Sequence, residues 1–160
     1  MATDFFLKIE GIEGESQDQK YKNNIDLESW SWGATQTGGS AYGGGGGAGK
    51  VSMQDFHFTM KVNKSTPHLI LACAEGRHIK AATLIARKAG KQQQEYLTYK
   101  FTDLLISSYQ TGGSDGVDMP TESISFNYAK MEVEYKDQKA DGTLGGAIKA
   151  GWDLKQNVKV

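Results

Sequence analysis

Between Val51 and Asn63 the chain reads VSMQDFHFTMKVN, in which Phe56, Phe58, Met60 and Val62 alternate with His57, Thr59 and Lys61. A period of two puts successive side chains on opposite faces of an extended strand, whereas a helix needs apolar residues every three to four positions. Strand-like runs recur along most of the chain. DFFLKIEG, closed by the glycines of GIEG, reads as the first strand, and IDLESWSW as a second. RHIKAATLIARKAG and EYLTYKFTDLLISSYQ follow, the latter with Leu97, Tyr99 and Phe101 on one face, and TESISFNYAKMEVEYKD is the longest candidate. Only KSTPHLILACAEG carries helix punctuation: Ser65 or Thr66 as N-cap, Pro67 at the first helical position and Gly76 as the stop. Many strands, one short helix and Gly-rich turns make a mostly β chain, a sandwich or a barrel.

Three local features sharpen these expectations. The helical run Leu69, Ile70, Leu71, Ala72, Cys73 and Ala74 leaves almost no polar face, so the helix is expected to be largely covered. Apolar parity shifts between Met53 and Phe56 and again between Tyr128 and Met131, each shift suggesting a β-bulge or a stretch covered on both faces. In IDLESWSW, Ile25, Leu27 and Ser29 share one face, and Asp26, Glu28, Trp30 and Trp32 the other. Two tryptophans on a charged face suggest partial cover, by the domain's own loops or by another subunit.

Composition bounds the function. A chain of 160 residues with no internal repeat or linker is a single domain, 1–160, long enough to bury about 70% of its unfolded surface. Its 18 basic and 19 acidic residues give a net charge of −1, so no global field draws it to nucleic acid or to anionic lipid. The single Cys73 cannot form an intrachain disulfide and lies in an apolar run, where a buried, unreactive thiol is expected. MATDFFLKIEG has an apolar run of three residues and no basic leader. The expectation is a cytosolic product with neither signal peptide nor membrane insertion, which would leave the cell only by another route.

No chemistry of a catalytic kind emerges. His57, His68 and His78 lack the short spacings of zinc motifs, no G-x-S-x-G elbow occurs, and no metal or cofactor is expected. Glu132 and Glu134 lie two apart in a strand and could pair for acid–base work, but Lys130 and Lys136 on the same parity make them read as a solvated charge ladder. TGGSDGVD has the oxygens of a calcium loop without its spacing and reads as a connection into the strand at 121–135. Gly44, Gly49 and Lys50 mimic three anchors of a phosphate-binding loop, yet Val51 stands where a hydroxyl must reach the metal, and a strand, not a helix, is expected to follow.

The long loop at 33–50 calls for another use. Nine of its 18 residues are glycine, and Tyr42 is its one large side chain. Fixing its backbone costs on the order of 20 kcal/mol in conformational entropy, which its own side chains do not offset, so an ordered state depends on a neighbouring surface. Thr37, Gly39, Tyr42, Gly44, Gly46 and Lys50 are the candidate contact residues of such an arm, with Trp30 and Trp32 at its entry as bracing or interface aromatics. A monomeric β-sandwich module using both tryptophans to stack on carbohydrate is the alternative.

Several segments taken together carry a resemblance. DFFLKIEGIEGES at the start, the Thr66–Pro67 helix after a Phe-rich strand, TGGS before ESISFNYAKMEVEY, and the ending AGWDLKQNVKV strongly resemble, in that order, the haemolysin-coregulated protein family, which forms the inner tube of the bacterial type VI secretion system. The pentaglycine Gly43–Gly47 is richer in glycine than the corresponding long loop of that family. The resemblance implies a β-barrel of two antiparallel sheets with one short α-helix alongside, and six copies closing into a ring. It further implies that rings stack into a hollow tube inside a contractile sheath, beneath a valine-glycine-repeat spike protein, with small effector cargo in the lumen. It implies no catalytic residues, assembly in the bacterial cytoplasm, and secretion to the exterior or into target cells.

Overall fold

The structure, a computed structural model, describes residues 3–36, 50–88 and 94–160. Eleven strands and one helix follow one another in these segments: β1 (Thr3–Ile9), β2 (Ile25–Asp26), β3 (Ser29–Ser31), β4 (Ala34–Gln36), β5 (Val51–Met53), β6 (Phe56–Lys61), α1 (Thr66–Glu75), β7 (His78–Lys88), β8 (Glu95–Gly112), β9 (Thr121–Gln138), β10 (Leu144–Asp153) and β11 (Val158–Lys159). The expected mostly β, antiparallel architecture with one short helix is what is found.

The long hairpin β8–β9 is the spine. One edge of β9 pairs with β8 throughout; the other pairs first with β6, through Lys61↔Thr121 to Phe56↔Phe126, and then with β10, through Asp153↔Lys130 to Leu144↔Gln138. Hydrogen bonding therefore runs β11-β10-β9-β8-β7-β1-β2, with β6 and β3 branching from β9, and β4 and β5 form a separate ribbon. Enclosed by these strands and α1 is one contiguous core in which Phe56, Phe58, Phe101, Phe126, Leu7, Leu69, Leu84 and Leu104 are almost wholly buried. Phe56 is its hub, with ring centroids 5.0 Å from Phe101 and 5.1 Å from Phe126. The alternation of β6 is explained by this core: its phenylalanines and Met60 point in, while His57 and Lys61 remain in water.

Both parity shifts have different origins from those expected. At Met53–Phe56 the chain leaves the ribbon and enters the main sheet, so two strands, not one bulged strand, occupy 51–61. At Tyr128–Met131 the β8–β9 register is unbroken. The buried side changes on three strands in one line, from Ile79 to Ala82, from Leu104 to Phe101 and from Tyr128 to Met131. Asp103, on that line, has φ of 57°. A left-handed residue rotates the strand locally, and the neighbours follow because the ladder couples them. The bulges lie elsewhere, at Ala86/Arg87, Ile106/Ser108 and Leu144/Ala147.

The helix starts and stops at the punctuation, with Ser65 at the N-cap, Pro67 in the first turn and Gly76 at φ 60° as the C-cap. Ser65 makes no side-chain cap, however; its hydroxyl bonds Asn63 Oδ1 at 2.5 Å. Nor is α1 largely covered within the chain: Leu69 and Ala72 are buried, but Ile70 is 44% and Leu71 51% exposed. A helix lying on one face of a sheet buries one stripe only, whatever its remaining residues are. Cys73 is half-buried against the core.

Candidate assembly surface

The segment expected to act as an arm is flanked by two short strands. β4 and β5 pair through Ala34↔Met53, Thr35↔Ser52 and Gln36↔Val51, and neither has another partner strand among the described residues. All three β4 residues are exposed. Of the candidate arm residues, Thr37, Gly39, Tyr42, Gly44 and Gly46 lie outside the described residues; Lys50 is exposed and immediately precedes β5. An isolated two-stranded ribbon is marginal in water. What holds its base is therefore decisive for presenting an arm.

The base is a three-part clamp. Trp32 Nε1 donates to the Tyr128 hydroxyl, which in turn donates to the Gln54 carbonyl at 2.7 Å, and Gln54 N–H donates to the Gly33 carbonyl at 2.9 Å. Gly33 precedes β4 and Gln54 follows β5 at the one end of the ribbon beside the body, so the clamp ties both strands to β9. Burial pushes the Tyr128 phenol up to about 12, partly opposed by the hydrogen bond from Trp32. The hydroxyl therefore stays protonated and donating at any physiological pH. A Cβ on Gly33 would lie 3.1 Å from Gln54 Oε1, tight enough to press on the clamp.

Trp30 and Trp32 do not share a charged face with Asp26 and Glu28. The run IDLESWSW is two strands: β2 pairs with β1, and β3 pairs with β6. Leu27 N–H bonds the Phe5 carbonyl and Glu28 N–H the Thr59 carbonyl, so the chain changes partner within one step, and the parity resets. Half-buried Trp30 consequently packs on the core, with its ring 6.0 Å from Phe5, 6.0 Å from Phe56 and 5.5 Å from Tyr99. Trp32 lies 5.8 Å from Tyr99.

Elsewhere the side chains of the described residues form ion pairs. Lys130–Glu132 at 3.8 Å, Lys136–Glu134 at 3.6 Å and Lys149–Glu134 at 3.7 Å make a half-exposed charge ladder. His57 and His68 are exposed, and His78 pairs with Asp103 at 3.1 Å. No group of three or more metal-ligating side chains is assembled among the described residues. Strand β5, not a helix, follows Lys50, so no helix N-terminus stands behind the phosphate-loop mimic. No helix among the described residues is long and apolar enough to cross a membrane.

Two buried polar clusters carry no sequence signal of their own. Arg87, 3% exposed, pairs with Asp18 at 2.7 Å and Asp4 at 3.0 Å, with its guanidinium 4.9 Å from the Phe6 ring centre and 5.3 Å from that of Tyr21. The hydrogen bond from Arg87 holds the Asp18 carboxyl below its usual range. This cluster pins the loop at 13–24 to β1 and β7. Glu122, 1% exposed, accepts the Thr66 hydroxyl and so anchors the start of α1 to β9. In sequence each of these charges sits in a polar or alternating stretch that reads as solvated.

Comparison with known proteins matches residues 6–135 to the family model described as type VI secretion system effector, Hcp. The chain is 48% identical over 161 residues to protein hcp1 of Pseudomonas aeruginosa, covering 99% of each. Among solved structures it resembles Hcp1 from Salmonella typhimurium at a TM-score of 0.84 and 38% identity, covering the whole of both chains. It also resembles a structure titled as a type six secretion system protein, at a TM-score of 0.93 and 31% identity, covering 99% of this chain and 100% of that one.

Proposed function

The chain belongs to the Hcp family of type VI secretion proteins, and from that premise we propose that it is the subunit of a hollow tube, with six copies closing into a ring and rings stacking end to end. A contractile sheath drives this tube beneath a valine-glycine-repeat spike, small effector proteins travel in its lumen, and the protein leaves the cell with the tube instead of through a cleaved signal. Its work is mechanical and involves no bond chemistry.

The observation that carries the reading is the β4–β5 ribbon, which has no further strand partner among the described residues and is clamped at its base by Trp32, Tyr128 and Gln54. An arm held at the root and bare at the edge suits a heterologous contact, in which one patch meets a different patch on the next copy, and such contacts form a ring when the rotation between copies closes. Near-neutral net charge favours stacking, since successive rings do not repel. A monomeric carbohydrate-binding module would need its tryptophan faces free, and packing of both rings against Tyr99 disfavours that use.

Light scattering on the purified chain tests the proposal. Six copies of the 17.4 kDa chain give a particle of about 104 kDa, and a particle of 17.4 kDa overturns it. Deleting Gly43–Gly47 is expected to impair ring closure or stacking, and unaltered rings and tubes would refute the role of the arm.

A further inference from the structure

The sheet ends on one side at β10, and that end is open. β11 pairs with β10 only at Trp152 and Asp153, and Val160 N–H reaches the Gly151 carbonyl at 3.2 Å. At the other end a register shift lies between Leu144 and Ala147 and fixes where regular pairing begins. A Cβ on Gly145 would fall 2.2 Å from Asp137 Oδ1, so a side chain there would displace that carboxylate. Between these stops, Ala147, Ile148, Lys149 and Ala150 pair with β9 on one edge and, among the described residues, with no strand on the other, and all four are exposed. The result is a slot four residues long, bounded at both ends.

An unpaired strand edge is a template for another strand, and proteins usually blunt it with charge or cover. Here Lys149 is the one charge in the slot and is drawn towards Glu134. Ile148, 68% exposed, sits opposite Tyr135, itself 45% exposed and opposite Leu97, so an apolar strip runs inward from the slot across three strands.

We propose that this slot receives β4 of a second copy, so that Ala34–Gln36 of one subunit continues the sheet of its neighbour at Ala147–Ala150. The inference rests on the ring reading above and names the surface that completes it. Two observations select the occupant. β4 is three residues long, uncharged, exposed throughout and, among the described residues, paired on one edge only, so it fits a four-residue slot and brings no second charge beside the Lys149–Glu134 pair. The contact is also heterologous, as ring closure demands, whereas pairing two β10 edges about a two-fold axis would stop at a dimer. Strand addition of this kind draws affinity from main-chain hydrogen bonds, and Ile148 supplies an apolar anchor beside them.

Cysteine pairing tests the arrangement. In a Cys73→Ala background, Ile148→Cys is combined in turn with Ala34→Cys, Thr35→Cys and Gln36→Cys; bridging needs Cα atoms about 4.4–6.8 Å apart. At least one pair is expected to give, on oxidation, a covalent ladder reaching six chains on a denaturing gel, and Ile148→Cys alone is expected to give none. Ring-sized particles without a ladder from any pair overturn the slot while leaving the ring standing. Dimers from Ile148→Cys alone overturn it too, because β10 then meets β10. A wild-type chain that scatters as a monomer removes the ring and the slot together. Hydrogen exchange on the unmodified ring provides a check free of substitutions. An edge strand leaves every second amide pointing to solvent. Protection at consecutive amides through Ala147–Ala150 is expected, and protection of alternate amides alone overturns the proposal.

Discussion

Replacing Tyr128 by Phe isolates the clamp at the root of the arm. The ring stays in place among Phe101, Phe126 and the rest of the core, at 4.8 Å and 6.5 Å between centroids, so no cavity larger than an oxygen atom is opened. Lost instead are the acceptor for Trp32 Nε1 and the donor for the Gln54 carbonyl. A buried polar group left unpaired costs about 1–3 kcal/mol, and water reaches the half-buried Trp32 in part, so the expected loss is about 2 kcal/mol. In a domain of this size that lowers Tm by roughly 4–8 °C. The same hydroxyl sets an alkaline signature. Its pKa is raised from about 10 to about 12 by burial, so the stability it contributes is complete below pH 10 and is lost as pH rises from 10 through 12. Allowing for screening on its open side, that loss is at most about 2 kcal/mol and should be missing from Tyr128→Phe. Urea unfolding at pH 7 and across pH 9–12, at one protein concentration because a ring makes stability concentration-dependent, measures both effects. A variant within about 0.5 kcal/mol of wild type at pH 7, with an unchanged alkaline limb, would refute the clamp.

Asp18→Asn strips the buried Arg87 of its shorter ion pair and is expected to cost about 2 kcal/mol in urea unfolding, with Asp4 limiting the damage. Because Arg87 depresses the Asp18 pKa, its contribution is present above the ordinary carboxylate range and is lost as pH falls through the folded value, so the wild-type acid limb should flatten in the variant. Asp26, though exposed, has the opposite sign: desolvation, then the charges of Asp4 and Asp18, raises its pKa, so Asp26→Asn is expected to increase stability at pH 7, seen as a higher urea midpoint. Gly76→Ala meets no atom within 4 Å but places a side chain at φ 60°, and is expected to cost about 1 kcal/mol by thermal unfolding.

Strands whose one face meets the core were legible because alternation is the imprint of that core: β1, β6, the first half of β9 and much of β7 and β8 carry large apolar side chains at every second position. Pro67 and Gly76 marked α1 because their backbone constraints act locally, whatever surrounds them. β10 left no such imprint. It is an edge with three glycines and an exposed middle, so nothing selects an alternating pattern, and the ending AGWDLKQNVKV entered only as part of the family resemblance. IDLESWSW misled for a related reason: alternation reports faces only while a strand keeps its partners, and this run changes partner between Asp26 and Ser29.

The same distinction separates what was visible of the assembly surface from what was not. Glycine content and length single out 33–50 as the expected arm, because entropy can be weighed from composition alone, and of its candidate contact residues only Lys50 lies among the described residues. Its clamp was hidden, since Trp32, Gln54 and Tyr128 lie up to 96 residues apart and meet only once β9 has been laid beside β6. The slot on β10 was hidden more deeply still, being defined by pairing that is missing instead of by residues that are present. A strand edge left open in an otherwise paired sheet exposes main-chain donors and acceptors that gain nothing within the chain. In the ring proposed above, the open edge and the bare ribbon are the two halves of one contact, and the side chains around them need only keep other strands away.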